Sequence, residues 1–210
     1  MNPKFDELYK LYEEYNSHTN ISAIRDKNAV YEKHFKDSLL ILENCKLEGK
    51  IIDIGTGGGF PALPLAIERP ELDITAIDSV GKKIKFVNLA KEKLGLEKLT
   101  ALTARAEELA HNPEYREKFD IGLSRAVAEL RILLELASGF IKPGGKFIAY
   151  KKSDNAGEFN AAKKAAKESK FKLIEQISYA EDKQLLIFEK TGHCHEKLPR
   201  SFQQIKKNPF

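Results

Sequence analysis

Apolar residues recur at helical spacing near the start of the chain. This spacing predicts an amphipathic helix over residues 3–15 that packs against the main body. Its apolar stripe consists of Phe5, Leu8, Tyr9, Tyr12 and Tyr15. A polar connector follows at 16–24, and a second helix is predicted over 29–43 with Asn28 as its N-cap. Together these elements predict a helical extension, residues 1–48, ahead of the rest of the fold.

From residue 49 the pattern alternates between short apolar runs and helical periodicity. Strands are predicted at 50–54, 73–78, 98–103, 119–124, 146–150, 171–179 and 184–190, and helices at 61–68, 82–94, 128–138 and 155–169. Such alternation predicts a parallel sheet with helices on both faces. The last two strands are joined by residues 180–183, too few for a crossover, so that pair is predicted to be antiparallel. The predicted fold class is α/β: a doubly wound, mostly parallel seven-stranded sheet, Rossmann-like, with the N-terminal helical extension.

Two glycine positions punctuate this pattern. Gly95 is predicted to end the helix at 82–94 as its C-cap, because glycine adopts the left-handed conformation that this position favours. The sequence Pro143-Gly144-Gly145 is predicted to form a turn just before the fifth strand.

A glycine-rich loop follows the first predicted strand. The motif is Asp53-x-Gly55-x-Gly57-x-Gly59, followed by Phe60-Pro61 at the start of a helix. Phe60 stands where a dinucleotide-binding G-x-G-x-x-G motif has its last glycine, and the loop lacks the Gly-Lys-Ser/Thr ending of a P-loop. Together with Asp78, which closes the second strand, the motif resembles that of class I S-adenosylmethionine (AdoMet) methyltransferases. The alternative is a glycine-rich turn that binds nothing.

Ligands of open α/β sheets bind beyond the carboxyl ends of the strands, so the residues after each strand are the candidates. The loop Gly55–Phe60, with Thr56, is predicted to cradle the methionine part of AdoMet, with unpaired N–H groups at the following helix start facing its carboxylate. Asp78 is predicted to hold the ribose. After the third strand, Ala106 and Glu107 are candidates for the adenine edge, although Glu107 also suits a helix N-terminus. Arg125, in Ser124-Arg125-Ala126, is poorly placed for core packing and is a site candidate.

The absence of two sequence motifs narrows the range of possible methyl acceptors. No Asn/Asp-Pro-Pro-Tyr/Phe follows the fourth strand, which argues against an exocyclic amine, and no cysteine lies near strands four and five, which argues against attack through cytosine C5. No general base is evident after the strands. A ring nitrogen with a free lone pair, such as guanine N7, needs none and would be methylated by alignment alone. Other acceptors remain open at this point.

Composition and charge bound the remaining choices. The chain has 210 residues and is predicted to be one domain, with the core at 49–190 and a basic tail at 191–210. Residues 1–141 carry a net charge of −3 and residues 142–210 one of +7, which indicates a polyanionic partner or a solvated helix face. No run is long enough to span a membrane, the N-terminus has no signal-peptide pattern, and two cysteines form no disulfide framework; a cytoplasmic protein is expected.

Several segments together resemble the RsmG (GidB) family. They are Asn20–Ile24, His34–Leu39, Asp53–Leu65, Asp78-Ser79 with Lys82-Lys83, Arg105–Glu107, Phe119-Asp120, Ser124–Ala128, Tyr150-Lys151, and the tail Lys197–Arg200 with Lys206–Phe210. The resemblance implies a bacterial enzyme that methylates guanine N7 in 16S ribosomal RNA of the small subunit with AdoMet. It implies cofactor contacts at Gly55, Phe60, Asp78, Ala106, Glu107 and Arg125, to which the loop adds Thr56, Gly57 and Gly59. It also implies that Lys151, Arg200 and Lys206 face RNA, the alternative being surface ion pairs.

The sequence departs from the family pattern at three places. Ala62 replaces a glycine after Phe-Pro, Lys152 replaces a glycine after Lys151, and Gln203-Gln204-Ile205 replaces a Gly-Thr-Pro turn in the tail. The alternatives to the RNA enzyme are an AdoMet methyltransferase for a small molecule or a different RNA, and a non-catalytic RNA-binding protein. The intact glycines argue against the last.

Two further groups of residues carry weaker hypotheses. His34 and Asp37 share a helix face and are interpreted as a structural pair that fixes the extension on the sheet; a contribution to the base pocket is the alternative. His193-Cys194-His195 lacks the spacing of a metal site, so no metal is expected. No general acid or base is assigned; Arg125 and His34 are the candidate contributors, and a monomer is expected.

Overall fold

The computed structural model describes residues 2–125, 127–153, 156–180 and 182–210, without the side chain of Ala156. Ala126 of the predicted Ser-Arg-Ala site segment, Asn155 of the predicted helix at 155–169, and Glu181 of the last predicted connector therefore lie outside the described residues.

The predicted doubly wound sheet is confirmed. In the described residues it has seven strands in the order β3-β2-β1-β4-β5-β7-β6. The strands are β1 (Lys50–Ile54), β2 (Asp73–Asp78), β3 (Leu99–Thr103), β4 (Phe119–Arg125), β5 (Ile141–Lys152), β6 (Phe171–Ala180) and β7 (Lys183–Lys190). β1 to β5 pair in parallel, and β7 is antiparallel to both β5 and β6. The antiparallel pairing of β6 with β7 was predicted. The strand order reverses between β1 and β4, so the ligand crevice is expected at their carboxyl ends.

Helices cover both faces of the sheet. They are α1 (Lys4–Thr19), α2 (Lys27–Val30), a π-helical turn (Tyr31–Lys36), α3 (Asp37–Leu39), α4 (Ile41–Asn44), α5 (Ala62–Glu68), α6 (Gly81–Leu94), α7 (Ala106–Leu109), α8 (Leu130–Ser138), α9 (Ala156–Glu168) and α10 (Phe202–Lys207). Gly95 ends α6 at φ +60°, which confirms its predicted place as the C-cap. Within the described ranges, none of these helices is both long and apolar enough to cross a membrane.

The helical extension differs from its prediction in the second helix. Residues 29–43 were predicted to form one helix capped by Asn28; instead a π-helical turn interrupts it, and the Asp26 carboxylate caps it by accepting from Ala29 N. The N–H of Asp37 donates to Glu32 O, five residues back, which widens the turn by one residue. The wider turn carries His34 and the start of α3 towards the sheet.

A second difference lies at the start of β5. Pro143–Gly145 were predicted to form a turn before the strand, but they lie within it as an irregularity. Ile141 pairs with Phe119, and the next pair is Lys146 with Ile121. Gly144 has φ +80°, and a Cβ on Gly145 would lie 2.7 Å from Asp120 O, so both positions require glycine.

Apolar residues fill both sides of the sheet. Ile51 belongs to the cluster under α1, α5 and α6, whereas Ile52 and Ile54 belong to the cluster under α8 and α9. The apolar stripe predicted for the first helix packs as expected: Phe5, Leu8, Tyr9 and Tyr12 are buried in the first cluster and Tyr15 lies against it. Burying one such aromatic side chain stabilises the fold by roughly 1.5–3 kcal/mol, so the extension is an integral part of the protein.

Candidate active site

The glycine loop turns sharply at the carboxyl end of β1. Gly55, Gly57 and Gly59 have φ values of +74°, +59° and +88°, conformations that other residues adopt only with strain. A Cβ on Gly55 would lie 2.6 Å from Val127 Cγ2, and one on Gly59 would lie 2.4 Å from Leu63 Cδ1. A Cβ on Gly57 would have no atom within 4 Å and would point into open space. The loop therefore leaves a gap at Gly57 while packing tightly on both sides of it.

The amides at the start of α5 are not free, contrary to prediction. Gly59 N and Phe60 N both donate to Thr56 O, and Ala62 N donates to the Asp53 carboxylate at 3.3 Å. These internal bonds stabilise the loop without a ligand. Between Gly55 and Leu63, the Gly58 N–H is the amide without a protein acceptor among the described residues, and Gly58 lines the cavity beside the loop.

Asp53, the first residue of the motif, is fully buried beneath the loop. Its Oδ1 atom and the Oγ1 atom of Thr56 are buried without a well-formed hydrogen bond among the described residues. Burial raises the pKa of the Asp53 carboxyl to about 7, opposed by the Thr56 hydroxyl and the Ala62 N–H. Asp53 and Thr56 therefore form a buried polar base beneath the glycine loop.

Two neighbouring cavities in the described part of the chain form one cleft at the switch point. One, of about 470 Å³, is lined by Ile21, Ser22, His34, Gly55, Thr56, Gly57, Gly58, Phe60, Asp78, Ser79, Val80, Lys83, Arg125 and Val127. The other, of about 170 Å³, is lined by Ile54, Gly55, Ile77, Asp78, Ser79, Ala104, Arg105, Ala106, Glu107, Val127, Leu136 and Phe202. We call them the loop cavity and the β3 cavity. Because they share Gly55, Asp78, Ser79 and Val127, one elongated ligand can occupy both.

Asp78 stands where the two cavities meet. Its Oδ2 atom accepts from Gly57 N at 2.9 Å and its Oδ1 atom from Val80 N at 2.8 Å. A carboxylate oxygen has two acceptor positions, so each can accept a further hydroxyl. The predicted ribose contact is therefore compatible with this geometry, and Asp78 also ties the glycine loop to the end of β2.

Ala106 and Glu107 lie at the far end of the cleft, where they line the β3 cavity. The Glu107 side chain is 11% exposed, and Arg105, which is largely exposed, approaches it at 3.8 Å. Leu136 from α8 and Phe202 from α10 form the apolar side of this cavity. A planar group with a polar edge fits such a space, in agreement with the adenine contact predicted for this segment.

Arg125 joins the sheet to the helical extension. Its Nη1 atom donates to Asp37 Oδ2 and to Lys33 O, both at 2.8 Å, and its side chain is 12% exposed. The other oxygen of Asp37 accepts from Lys183 Nζ at 2.7 Å. We call this group, together with His34, the Arg125 network. It places one guanidinium beside the loop cavity and balances its charge with Asp37.

His34 is held in a single protonation state by the same network. Its ring stacks on Phe60 with centroids 4.4 Å apart, and Arg125 Nη2 donates to Nδ1 at 3.1 Å. Because guanidinium only donates, Nδ1 accepts and Nε2 carries the proton, which it donates to Ser22 Oγ at 3.0 Å. Burial, with the Arg125 charge, lowers the pKa of His34 to about 4. Both nitrogens are engaged, so His34 is not poised as a base.

Phe60 has less contact with the cleft than expected. It is 5% exposed and packs with Tyr12, Phe35 and His34. Part of it still lines the loop cavity, but its larger contribution is to support the His34 ring.

The residues expected on the RNA side differ in accessibility. Lys151 is 11% exposed and its ammonium is paired with Glu158 at 2.6 Å, while Arg200 forms a bidentate pair with the buried Glu135 and lies 3.8 Å from the Phe210 ring centroid. Both charges are therefore already paired within the protein, with Glu158 and Glu135 respectively. A direct contact of either side chain with RNA stays a prediction. Lys206 is exposed on α10.

His193-Cys194-His195 makes contacts within the protein. His193 Nδ1 is bonded to Glu117 Oε2 at 2.6 Å, and Arg116 donates to the Cys194 sulfur at 3.3 Å. Across the described ranges, no three His, Cys, Asp or Glu side chains are grouped as metal ligands.

Some residues of the site were given no role from the sequence. Lys183 and Phe202 were not singled out, because each reaches the site from an element distant from the glycine motif. Ser22 and Val127 belong to the family-like segments Asn20–Ile24 and Ser124–Ala128, but no contact was predicted for them. Asp53 did carry a signal, since it opens the D-x-G-x-G-x-G motif, but its burial under the loop appears only in three dimensions. Fold, glycine loop, Asp78 and the bipartite cleft together define a class I AdoMet methyltransferase.

Comparison with known proteins gives the family. The model of the family described as rRNA small subunit methyltransferase G (GidB) matches residues 1–187. Proteins named ribosomal RNA small subunit methyltransferase G from Mesoplasma florum and Streptococcus sanguinis are 44% and 38% identical; the matches cover 97% and 99% of this chain, and 87% and 90% of theirs. The chain therefore belongs to the GidB family and is an AdoMet-dependent rRNA methyltransferase.

Solved structures agree on the fold. A SAM-dependent methyltransferase from Aquifex aeolicus superposes with a TM-score of 0.63 at 16% identity, over 82% of this chain and 98% of that one. TrmN from Thermus thermophilus gives 0.53 at 22% identity, over 73% and 47%. At these identities the likeness shows a shared architecture.

Proposed function

We propose that this protein methylates N7 of one guanine in 16S ribosomal RNA of the small subunit. The observation that carries the choice of N7 is the state of His34, the imidazole that lines the loop cavity. Its Nδ1 atom accepts from Arg125 and its Nε2–H is donated to Ser22, so the one lone pair of the ring nitrogens is already engaged and does not take up a proton from the substrate. An acceptor that loses no proton on methylation suits such a site.

The chemistry then depends on alignment. AdoMet, when bound, supplies a methyl group on a sulfonium centre, and the N7 lone pair is its nucleophile. No proton leaves N7 during transfer, and the methylated ring carries the positive charge. The protein contributes by holding the two reactants in line in a cavity with fixed walls, which is a large part of the catalytic effect available to such reactions.

Residue roles follow from the cleft. The cofactor is held by Gly55, Thr56, Gly57, Gly59, Phe60, Asp78, Ala106, Glu107 and Arg125, to which Gly58 adds a free amide. Arg125 and His34 act as positioning residues, because their polar atoms are engaged with Asp37 and Ser22.

The RNA side of the proposal rests on the tail. Lys206 and Lys207 are exposed on α10, the helix whose first residue lines the β3 cavity, so both lie near the cleft. Lys151 and Arg200 are proposed to act indirectly, since they fix the start of α8 and the tail through Glu158 and Glu135. The guanine would be presented from a single-stranded or loop region, where its edge is accessible.

The proposal also covers the domain organisation, the oligomeric state and the location of the protein. A single domain is supported by the burial of α1 aromatics in the main core, which joins the extension to the sheet, and the proposal includes a monomer. A cytoplasmic location is supported by the ribosomal substrate of the family and by the reduced cysteines Cys45 and Cys194.

The test is methyl transfer from labelled AdoMet to small ribosomal subunits taken from cells that lack the endogenous activity. The modified nucleoside is identified by mass spectrometry. We expect label in 7-methylguanosine. Label in another nucleoside would overturn the N7 assignment, and label in no RNA despite AdoMet binding would redirect the search to a different acceptor.

A further inference from the structure

The C-terminal tail reaches across α8 and contributes one aromatic side chain to the cofactor cleft. Phe202, the first residue of α10, is half-buried and lines the β3 cavity together with the segment Ala104–Glu107. Apart from Phe202, this cavity is built from the ends of β1, β2 and β3, the segment after β4, and α8. The aromatic ring comes from a segment about 95 residues beyond Glu107, the last lining residue of the segment after β3.

The tail is fixed in place by contacts that do not involve the cleft. Arg200 donates two guanidinium bonds and its backbone N–H to the buried Glu135 carboxylate of α8. A capping box between Ser201 and Gln204 starts α10, and Ile205 is fully buried. These anchors position the first turn of α10, so the place of Phe202 does not depend on its own packing.

The β3 cavity has the size and chemistry of a site for a single ring system. Its volume of about 170 Å³ is below the range of a complete ligand pocket, which is roughly 300–1,000 Å³. Apolar side chains from Val127, Leu136 and Phe202 face polar groups at Asp78 and Glu107. Such a space suits a flat heterocycle whose edge forms hydrogen bonds while its faces are covered by apolar groups.

We propose that Phe202 is the tail's contribution to cofactor binding: its ring covers the adenine of AdoMet. The inference rests on the proposed cofactor site and adds a residue outside the methyltransferase core. It makes the basic tail bifunctional, because the same short helix carries the exposed Lys206 and a wall of the cofactor cleft. Ordering of the tail and occupation of the adenine end are then linked, and a change that loosens the tail lowers affinity for AdoMet.

The test measures binding by calorimetry with the full chain and two ligands. S-adenosylhomocysteine contains adenine, ribose and the amino-acid part, whereas 5′-methylthioadenosine lacks the amino-acid part. We expect Phe202→Ala to weaken both by the same factor, about tenfold, the order found when an aromatic group against a nucleobase is removed. Phe202→Leu, which keeps an apolar wall, should fall between the wild type and Phe202→Ala.

The matched control is Phe159→Ala, which removes another partly buried phenyl ring from a groove on α9 and β6. It should leave both affinities within about twofold. Thermal unfolding of the ligand-free variants separates effects on folding from effects on binding. If Phe202→Ala melts well below Phe159→Ala, the ligand affinity of Phe202→Leu is compared with that of the wild type, and this comparison decides whether the Phe202 ring contributes to binding.

The outcomes also separate this inference from the cofactor site itself. Unchanged affinity in Phe202→Ala, or loss for S-adenosylhomocysteine without loss for 5′-methylthioadenosine, overturns the role of Phe202. Gly57→Arg serves as the reference for the cleft. If Gly57→Arg abolishes binding while Phe202→Ala does not alter it, the cofactor site stands and the tail contact falls; if neither alters it, the cofactor site is assigned wrongly.

Discussion

The glycine loop and the Arg125 network border the same cavity but are built in opposite ways. The loop is mostly contiguous: Asp53 to Leu63 supply its turns and several of the groups that satisfy them. Its distant partners, Ile77 and Asp78, are neighbours at the end of β2. The network is assembled from Lys33, His34 and Asp37 in the extension, Arg125 at the end of β4, and Lys183 at the start of β7. One side of the cavity is therefore encoded locally, and the other depends on the complete fold.

This difference predicts different consequences of mutation. A change in the loop alters the shape of the cleft while the rest of the fold remains, because the hydrogen bonds within the loop join residues that are close in sequence. A change in the network separates the extension from the sheet, because charges that are nearly buried lose their partners. The predictions that follow test this contrast, starting with the largest effect.

Gly57→Arg should abolish AdoMet binding and leave the protein folded. Gly57 has φ +59°, and its missing side chain leaves open space in the loop cavity, which an arginine would fill. Binding calorimetry with AdoMet measures the loss, which we expect to exceed roughly 100-fold, about 2.7 kcal/mol.

The matched control for that variant is Gly95→Arg. Gly95 has the same conformation, φ +60°, and open space around it, but it caps α6 away from the cleft. It shares the backbone strain and should keep wild-type affinity. If Gly95→Arg loses AdoMet as completely as Gly57→Arg, strain rather than the cleft explains the result.

Asp37→Asn should destabilise the whole protein. The carboxylate pairs with Arg125 and Lys183 at 2.8 and 2.7 Å and is 9% exposed, so its neutralisation leaves two cations without their partner. Removal of one member of a buried ion pair costs on the order of 3 kcal/mol, measured here by urea unfolding. Glu32→Gln breaks the exposed Lys36–Glu32 pair and should change stability by less than about 0.5 kcal/mol. Equal effects of the two variants would contradict the structural role of the network.

Asp53→Asn should remove a pH dependence of stability. The folded pKa of about 7 lies above the ordinary value, so the folded protein keeps a proton that the unfolded chain releases. Between about pH 4 and pH 7, wild-type stability should thus fall as pH rises, by up to about 4 kcal/mol in total relative to the variant. Urea unfolding of ligand-free protein across this range provides the measurement.

Asp120 supplies a control of opposite sign. Partial burial acts to raise the pKa of the Asp120 carboxyl. Hydrogen bonds from Lys142 and from Lys50 N–H outweigh this effect and hold that pKa below its ordinary value. This group contributes stability at neutral pH that is lost as pH falls into the acid range. Asp120→Asn should remove that loss. If Asp53→Asn and Asp120→Asn shift the profile in the same direction, the assigned state of Asp53 is wrong.

The same contrast explains how much the sequence predicts. The strands were located within a few residues because β-branched runs such as Ile51–Ile54 are local signals, and the antiparallel end followed from the short connector after β6. The π-helical turn was not predicted, because the bond from Asp37 N to Glu32 O, five residues back, has no signal in the pattern of apolar positions. The site followed the same rule: Gly57 and Asp78 could be found from their motif, whereas Phe202 could not.

The availability of charged side chains could not be predicted from the sequence. The resemblance to the family implied that Lys151 and Arg200 face RNA, and the net charge of +7 in their segment agreed with it. Glu158 and Glu135, which neutralise them, are 7 and 65 residues away. A sequence therefore gives the number of cations in a segment, but their availability depends on which acids the fold brings next to them.

Lys206→Gln should have the smallest effect and tests the cation that remains exposed. Loss of one phosphate contact should weaken RNA binding modestly and reduce the slope of log affinity against log salt by about 1. Binding to small-subunit rRNA is measured over a salt series. Lys93→Gln changes an exposed lysine in the last turn of α6, at the end of that helix away from the cleft, and should leave the slope unchanged. If Lys93→Gln lowers the slope and Lys206→Gln does not, RNA does not follow the tail, and the basic tail serves the fold and the cofactor cleft instead.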